Sequence, residues 1–347
     1  MKKIVIACDS YKGCLSSSEV SDAVAEGVSE VYPDCEVVRL AVADGGEGTV
    51  EALVDTLGGH LEWAEVSDPL GRPVRAAYGV AGDLAIIESA AACGLALLTN
   101  EERNPLIATT KGLGELILAA VDKGCRRFLI GLGGSATNDG GMGMIGVEGF
   151  LEKTRGLQFT IACDVDTPYI GKNGASRVFG PQKGASGQDV EVLEERLRGY
   201  ALKISEDTGI DVSDMPGAGA AGGLGGAFRA YLGAELKRGV DLVLDQIGFD
   251  SVIAGTDLVI TGEGCSDYQT LKGKTPAGVL KRAERQHIPV ALVSGAVRDE
   301  KMLRDRGFRI VEAVTPPAMS LEEAMRPETA KHLVAVATRN ILHHFCI

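Results

Sequence analysis

The 347-residue sequence is poor in the side chains that nucleic-acid-binding proteins use. Aromatic residues make up 5% of it, with a single tryptophan, so no platform for stacking bases is predicted. Lys and Arg together number 35 against 48 Asp and Glu, which leaves a formal net charge of −13. An acidic chain lacks the basic footprint that nucleic acid or an anionic membrane requires, so we expect neither as a partner. A local positive pocket could still hold a small anionic substrate.

Long hydrophobic runs and paired cysteines are also missing. No stretch reaches the roughly 18 apolar residues of a membrane-spanning helix. The start, MKKIVIACDS, holds only residues 4–8 as an apolar run, too few for a signal peptide. The eight cysteines form no CxxC pair, and several lie in apolar runs as buried reduced thiols do. We therefore expect a cytoplasmic protein, with a homo-oligomer left open.

Several catalytic motifs do not occur. The sequence has no GxxxxGK[ST], no GxSxG and no HExxH, which argues against a P-loop kinase, an α/β-hydrolase nucleophile and a zinc protease. The segment GAGAAG at 217–222 formally matches GxGxxG. It follows the polar segment 210–216 rather than a buried strand, so it does not indicate a dinucleotide fold. Helix packing or a phosphate-lining loop remain open for it.

Glycine, in contrast, is abundant: 46 residues, against an average of roughly 7%. The densest cluster is GLGGSATNDGGMG at 131–143. Because glycine loses more backbone freedom on folding than other residues, such a loop indicates a close approach of the backbone to something.

Apolar runs rich in Val and Ile predict the strands. They lie at Lys3–Cys8, Glu36–Val42, Leu84–Glu88, Arg127–Leu132, Phe159–Cys163, Leu258–Thr261, Val290–Ser294 and Ile310–Val314. Most are continuous rather than alternating, which is typical of parallel strands buried on both faces. Helical patterns lie between several of them, one after a capping box at 16–19 and one at 110–123. The alternation predicts a doubly wound α/β architecture. Residues 61–90, with PLGRP at a turn, predict an antiparallel hairpin and hence a second domain with a mixed sheet.

Acidic residues follow five of the predicted strands, most of them beside glycine. The five segments are 9–13, 44–49, 132–139, 164–166 and 262–267. One acidic turn is more often a helix cap or a solvated loop. Five of them at one sheet edge would favour Mg²⁺ with phosphate, because the metal needs oxygen ligands and phosphates need close N–H donors. We expect them to converge in this way.

The segment Lys274-Thr275-Pro276 predicts the start of a helix. Thr275 suits the N-cap and Pro276 the first helical position. The free N–H groups of the first turn, with Lys274 alongside, form a natural anion site, although an ordinary capped helix explains the pattern equally well.

Eight segments in order resemble the type I glycerate kinases, up to about residue 330. They are DSYKG, ADGGEGTVEAL, GLGGSATNDGGMGM, ACDVD, VFGPQKGA, PGAGAAGGLGGA, VITGEG and GKTPAGV. The resemblance implies ATP-dependent phosphorylation of D-glycerate, typically at the 2-hydroxyl, with Mg²⁺. It also implies two domains, a flavodoxin-like α/β domain and a second α/β domain similar to restriction endonucleases. We place the first at 1–57 and 255–347 and the second at 58–254.

Two features depart from the family pattern. Where the family has GEGR, an aliphatic residue and then Asp, this chain has Cys265 and Ser266 before Asp267. A cysteine cannot replace the bidentate fork of arginine, so activity would fall or the substrate change if that arginine holds an anion. Residues 151–157 also join two family blocks across a connection that is normally much longer.

Physical inference from these motifs gives each candidate residue a role. Asp44 or Asp267 would accept the proton of the substrate hydroxyl, and Lys12 and Lys274 would neutralise phosphate oxygens or hold the glycerate carboxylate. Mg²⁺ would be held by Asp164, Asp166 and Glu263. The candidates for substrate and phosphate contacts are Asp9, Ser10, Glu47, Gly133, Gly134, Ser135, Thr137, Asn138, Asp139, Lys183 and Thr275.

Four alternatives stay open at this point. Asp139 could instead cap a helix, and Lys183 could be an exposed turn lysine. For the whole chain, a nucleotide-linked oxidoreductase would also fit the glycine-rich loops and the parallel strands. A catalytically impaired, kinase-derived binding protein would fit Cys265 and the short join.

Overall fold

A computed structural model describes residues 1–46 and 48–345 of the chain. Glu47, predicted to contact substrate or phosphate, lies outside these residues. The described part contains the strands β1 (Lys3–Cys8), β2 (Glu36–Ala41), β3 (His60–Ser67), β4 (Pro73–Ala81), β5 (Leu84–Glu88), β6 (Arg127–Gly131), β7 (Gln158–Ala162), β8 (Glu235–Lys237), β9 (Leu258–Ser266), β10 (Val290–Val297) and β11 (Ile310–Ala313).

Helices fill most of the remaining chain. They are α1 (Ser17–Val31), α2 (Thr49–Leu57), α3 (Ala90–Cys93), α4 (Lys111–Asp122), α5 (Met142–Ile145), α6 (Phe150–Lys153), α7 (Ala175–Phe179), α8 (Gly187–Thr208), α9 (Ala220–Leu232), α10 (Gly239–Gln246), α11 (Phe249–Val252), α12 (Thr275–Glu284), α13 (Glu300–Arg306), α14 (Leu321–Ala324) and α15 (Pro327–Phe345). Among the described residues, no helix is both long and apolar enough to cross a membrane.

The chain divides into two compact units. The first comprises Met1–Asp44, Asp55–Leu57 and Val240–Ile347, and the second comprises Gly45–Val54 and Gly58–Gly239. Each unit has its own sheet, so the predicted fold class, two α/β domains with one parallel and one mixed sheet, is confirmed.

The sheet of the first unit has the strand order β11-β10-β9-β1-β2, and all neighbours are parallel. Counted along the unit, this is the 2-1-3-4-5 order of flavodoxin-like folds. Residues 4–8 of β1, an interior strand between β9 and β2, are completely buried, which explains why they are all apolar rather than alternating. The predicted capping box begins α1: the Ser16 hydroxyl accepts from the Glu19 N–H at 3.2 Å, and the Glu19 carboxylate accepts from the Ser16 N–H at 2.9 Å.

The sheet of the second unit has the order β3-β4-β5-β6-β7-β8. β3, β4 and β5 pair antiparallel, whereas β5 to β8 pair parallel. The predicted hairpin is β3–β4, and its turn is closed by Asp68, whose carboxylate accepts from the N–H groups of Leu70 and Arg72 at 2.8 Å each. Phe128 and Phe159 on neighbouring strands stack at 4.7 Å within the core of this unit.

The five acidic strand ends do not share one sheet edge, and that expectation is wrong. β1, β2 and β9 belong to the first sheet, whereas β6 and β7 belong to the second. Continuous apolar runs look alike in both sheets, so the hydrophobic pattern identifies buried strands without assigning them to a sheet.

Candidate functional site

The carboxyl end of the first unit's sheet has a topological switch point between β1 and β9, where open α/β sheets bind ligands. Asp9 directly follows β1, and its N–H donates to the Gly262 carbonyl on β9 at 2.9 Å. β9 continues past the predicted end at Thr261, because residues 263, 265 and 266 pair with β10. Glu263 therefore lies on a strand rather than in a loop, which gives its side chain a fixed direction.

Asp9 is a partly buried carboxyl with defined hydrogen bonds. Its Oδ1 accepts from the Ser10 N–H at 2.7 Å, and its Oδ2 accepts from the Thr275 hydroxyl. Burial, with the negative charges of Asp44 and Glu263, raises the pKa of Asp9 to about 7. This carboxyl therefore changes its protonation near neutral pH.

The predicted helix start lies one residue from its expected position. Lys274 is the N-cap of α12, so Thr275 is the first helical residue and Pro276 the second. The expectation that Thr275 caps the helix is wrong, because its hydroxyl donates to Asp9 on the neighbouring strand end instead. This hydrogen bond ties the first turn of α12 to the end of β1.

Glu263 is buried, and both of its oxygens are occupied. Oε1 accepts from the hydroxyls of Ser266, at 3.0 Å, and of Thr270, while Oε2 accepts from Lys274 Nζ at 3.0 Å. The Ser266 hydroxyl is also 2.7 Å from that of Ser294 on β10. Glu263 therefore holds the ammonium of Lys274 in place at the start of α12.

Lys274 remains cationic in this setting. Burial lowers its pKa, but the hydrogen bond and charge of Glu263, together with Asp267 and Asp44, outweigh that effect and raise the pKa overall. The side chain is 36% exposed, so a ligand can reach it. A cation at the N-terminus of a helix is suited to an oxyanion.

Asp267 and Lys12 lie in loops of the same unit. The Asp267 carboxylate accepts from the Gln269 N–H at 2.8 Å, in a turn that Thr270 closes by accepting from the Asp267 N–H at 3.0 Å. Asp44 follows β2 by three residues and is partly buried. Lys12 is exposed in the loop after β1. The structure thus brings Asp9, Ser10, Asp44, Glu263, Lys274 and Thr275 together at one sheet edge.

Three hydroxyls of this network were not among the predicted site residues. Ser266 and Ser294 face each other from β9 and β10, and Thr270 reaches Glu263 from the turn. An isolated Ser or Thr in a strand or turn carries no pattern that distinguishes it from an ordinary polar residue. Ser266 departs from the family pattern, and this departure was the one feature of the sequence that could have drawn attention to a residue of the network.

The glycine-rich loop belongs to the second unit and follows β6. Gly133 and Gly134 are exposed, and Gly134 has φ +73°, a conformation that favours glycine. Ser135, Thr137 and Asn138 are buried behind them. The loop therefore presents backbone on its outer side and polar side chains on its inner side.

Asp139 anchors this loop. Its Oδ2 accepts from the Thr110 N–H at 2.8 Å, from the Thr110 hydroxyl at 2.9 Å and from the Gly143 N–H at 3.1 Å. Its Oδ1 accepts from the Gly141 N–H at 3.1 Å. These bonds tie the loop to the beginnings of α4 and α5, as the capping alternative requires.

Lys183 is 2% exposed, so the alternative of an exposed turn lysine is wrong. Its Nζ donates to the Ser135 hydroxyl at 3.0 Å and to the Thr137 carbonyl at 2.7 Å. Burial lowers the pKa of Lys183 to about 7, against the opposing charge of Asp139. Lys183 thus joins the glycine-rich loop to the turn that follows α7.

Two buried polar atoms of the glycine-rich loop have no hydrogen-bond partner among the described residues. They are Thr137 Oγ1 and Asn138 Oδ1, and both side chains are fully buried. Asn138 uses its amide nitrogen to donate to the Ser176 hydroxyl at 2.9 Å. Such unpaired buried groups are uncommon in folded proteins.

The predicted magnesium ligands are divided between the two units. Asp164 and Asp166 are exposed after β7, which ends at Ala162, and Asp164 Oδ1 accepts from the Gly239 N–H at 3.1 Å. Glu263 lies in the other unit, with both oxygens already bonded. Across residues 1–46 and 48–345, no group of three His, Cys, Asp or Glu is placed to hold a metal ion. The role of Asp164, Asp166 and Glu263 as Mg²⁺ ligands therefore stays a prediction.

Comparisons with known proteins agree on one family. The model of the glycerate kinase family matches residues 4–150 and 145–345. The glycerate kinase of Bacillus subtilis (strain 168) is 44% identical, covering 93% of this chain and 92% of that protein. The glycerate 2-kinase of Escherichia coli (strain K12) is 43% identical, covering 98% and 97%. A crystal structure from Salmonella typhimurium LT2, assigned to glycerate kinase 2, has a TM-score of 0.88 at 42% identity over 99% of this chain and 98% of that one.

The comparisons also bear on the short join at 151–157. The two family matches overlap at residues 145–150, immediately before it. The alignment with the E. coli protein runs over 370 positions, more than the 347 residues of this chain, so that relative has residues without a counterpart here. In the structure the join is the end of α6 and a tight turn, in which Thr154 donates its hydroxyl to the Phe150 carbonyl at 2.7 Å.

Proposed function

The chain belongs to the glycerate kinase family, and we propose that it transfers the γ-phosphoryl group of ATP to the 2-hydroxyl of D-glycerate in the cytoplasm. The observation that carries the proposal is the Glu263–Lys274 pair beside Asp9 and Asp44 at the switch point of the parallel sheet. A fixed cation beside carboxylates is what phosphoryl transfer requires, since positioning and charge neutralisation dominate this chemistry.

In the proposed step, the glycerate hydroxyl oxygen forms a bond to the γ-phosphorus while the bond from that phosphorus to the β,γ-bridging oxygen breaks. Asp44 or Asp267 accepts the hydroxyl proton, and ADP leaves with the bridging oxygen. Lys274 neutralises oxygens of the transferred group or holds the glycerate carboxylate, and Lys12 assists from the exposed loop. Ser10 and Thr275 position Asp9, whose two oxygens they contact.

Mg²⁺ enters this proposal with the nucleotide. In kinases the ion is held mainly by substrate phosphates with one or two carboxylates, so the lack of a three-carboxylate group does not conflict with its use. When bound it would neutralise phosphate charge. We assign no step to protein ligands for it.

The second unit supports the proposal through its glycine-rich loop. The exposed Gly133 and Gly134 leave backbone N–H groups accessible, and such groups are suited to bind an anion. Ser135, Thr137, Asn138 and Lys183 lie behind them, and Asp139 maintains the loop conformation.

A coupled assay for ADP release with D-glycerate, ATP and Mg²⁺ tests the proposed function. We expect release that depends on both substrates, and a phosphorus NMR spectrum that identifies 2-phosphoglycerate. Formation of 3-phosphoglycerate would support the kinase activity but overturn the assignment of the 2-hydroxyl as the phosphoryl acceptor. If no ADP release above background is found, a binding protein that has lost activity is favoured. Cys265, which stands where the family has arginine, would be the first residue to test as the cause. Binding of NADH without binding of ATP would favour an oxidoreductase.

A further inference from the structure

We propose that Lys183 and Ser135 form a binding site for an oxyanion of the substrate, and that this site takes up a proton when the anion binds. The proposal rests on the proposed function for the identity of the ligands. A carboxylate of glycerate and a phosphate of ATP offer the same chemistry, and the experiment below distinguishes them.

The first observation is a buried lysine without a counter-ion. Lys183 donates to a hydroxyl and to a carbonyl, and both acceptors are neutral. Among the described residues, no carboxylate forms an ion pair with it. Asp139 is the charged group whose field reaches it, but that carboxylate is already bonded to Thr110, Gly141 and Gly143. A buried ammonium without a paired anion is costly in free energy, so an anionic ligand would supply the negative charge that Lys183 has no partner for.

The second observation is an unpaired hydroxyl on Thr137, the residue whose carbonyl accepts from Lys183. The Thr137 hydroxyl is fully buried and has no partner among the described residues. The Ser135 oxygen accepts from Lys183, which leaves the Ser135 proton free to be donated to a ligand. Thr137 thus carries an unpaired hydroxyl and also contacts the Lys183 ammonium through its carbonyl, in the loop whose outer backbone, at Gly133 and Gly134, is exposed.

The third step concerns protonation. Because burial lowers the pKa of Lys183 to about 7, the amine is mostly neutral at pH 8. An anion that binds there stabilises the ammonium form, and each ligand bound then brings up to one proton from solution. Arg103 has its backbone carbonyl against Gly184, so it is the other charged residue of a neighbouring segment.

Isothermal titration calorimetry at pH 8 in two buffers of different ionisation enthalpy measures this uptake. D-glycerate and a non-hydrolysable ATP analogue are titrated separately into the full chain. We expect one of the two to bind with net proton uptake, glycerate if the occupant is the carboxylate and the analogue if it is a phosphate. Its affinity should fall as the pH rises above 7, by up to about tenfold per pH unit.

Two variants separate Lys183 from other titrating groups, Asp9 included. Lys183→Met should abolish the uptake and weaken binding of that ligand roughly tenfold or more. Lys172→Met is the matched control, since Lys172 is exposed in the loop before α7, and it should behave as the wild type. If Lys183→Met does not fold, Asp9→Asn decides, because the uptake should persist in a chain whose Asp9 no longer titrates, and its loss there would overturn the proposal.

The proposal is overturned if both ligands bind with the same enthalpy in the two buffers, or if Lys183→Met retains the uptake. ADP release that proceeds normally in such a case would leave the proposed function intact. Failure of both ligands to bind would overturn the site and the proposed function together.

Discussion

At the scale of single residues, the pair Glu263–Lys274 determines where positive charge lies at the start of α12. Glu263 is held from one side by two hydroxyls and from the other by the ammonium. Oε1 accepts two hydrogen bonds and Oε2 accepts one, so three of the roughly four acceptor positions of this carboxylate are already in use. We therefore assign Glu263 a positioning role toward Lys274 in place of the predicted metal ligand.

Glu263→Gln tests this role. Without the carboxylate charge, the pKa of Lys274 should fall, because Glu263 is the main contribution that raises it. The amine then loses its proton at a lower pH, so the alkaline limb of the kcat/KM profile should move to lower pH, and KM for the ligand of Lys274 should rise roughly tenfold. Steady-state kinetics between pH 6 and 10 measure both effects.

Glu284→Gln is the matched control, because Glu284 lies at the far end of α12 from Lys274 and pairs with Arg306 at the surface. A metal role for Glu263 would show a different result: weaker activation by Mg²⁺ with an unchanged alkaline limb.

Asp44→Asn and Asp267→Asn test the proton acceptor. The true base should lose roughly 100-fold or more in kcat, while KM changes little. Asp34→Asn, a change at an exposed aspartate of the same unit, should leave kcat unaltered. Near-normal turnover in both site variants would remove these two carboxylates from the mechanism and direct attention to Asp9.

The sequence predicted most of the residues that gather at the sheet edge of the first unit, but it did not predict the hydrogen bonds between them. Asp9 and Asp44 follow two of the strands that the apolar runs predicted, but these runs did not show that the two strands lie in the same sheet. The bond between Glu263 and Lys274 depends on the turn that Thr270 closes, and no residue spacing encodes it. Lys183 was predicted as a contact, but its burial depends on a loop that is distant in sequence.

At the scale of elements, close helix packing explains one glycine directly. Gly27 lies in α1, and a Cβ there would lie 2.5 Å from the Ala335 carbonyl oxygen and 2.8 Å from Thr338 Cβ, both on α15. The two helices cover one face of the parallel sheet. Their contact therefore limits the size of the residue at position 27.

Gly27→Ala should destabilise the first unit by about 1–3 kcal/mol, because the extra methyl group forces the helices apart. Gly199→Ala is the matched control: Gly199 lies in α8, and a Cβ there meets nothing within 4 Å. It should stabilise its helix by about 0.5–1 kcal/mol. Differential scanning calorimetry measures both changes, and equal stabilisation by both substitutions would contradict the packing account.

Asp139→Ala tests the anchor of the glycine-rich loop. Removing the carboxylate leaves the buried N–H groups of Thr110 and Gly141 without their acceptor, at a cost of about 3 kcal/mol. Trp63, the single tryptophan, lies in the second unit, so its fluorescence follows the urea unfolding of that unit. An unchanged transition would show that Asp139 does not hold the loop.

Element boundaries were largely predictable where burial is continuous. β1 and β5 have the predicted ends, because their flanking residues are charged or turn-forming. β9 was predicted to stop at Thr261 because glycines at 262 and 264 resemble a loop, whereas both lie in the strand beside β10. Gly262 has no room for a side chain, since a Cβ would lie 1.9 Å from the Val293 carbonyl oxygen. Tertiary contact of this kind overrides local propensity.

At the scale of the whole molecule, two sheets divide the candidate residues. Asp9, Asp44, Glu263, Asp267 and Lys274 belong to the first unit, and the glycine-rich loop with Lys183 belongs to the second. The hydrophobic pattern predicted an α/β protein with a mixed sheet in one part. It could not assign each strand to its sheet, because a buried parallel strand reads the same in either.

ADP release by the full chain, measured with D-glycerate, ATP and Mg²⁺ and compared with Lys274→Met, tests the central claim most directly. We predict release that requires D-glycerate, yields 2-phosphoglycerate by phosphorus NMR, and falls roughly 100-fold or more in Lys274→Met. Lys281→Met, a change at an exposed lysine of the same helix, should retain wild-type release. Two results would contradict the proposed phosphoryl transfer beside Asp9, Asp44, Glu263 and Lys274. They are ADP release that does not depend on D-glycerate, and equal release by Lys274→Met and the wild type.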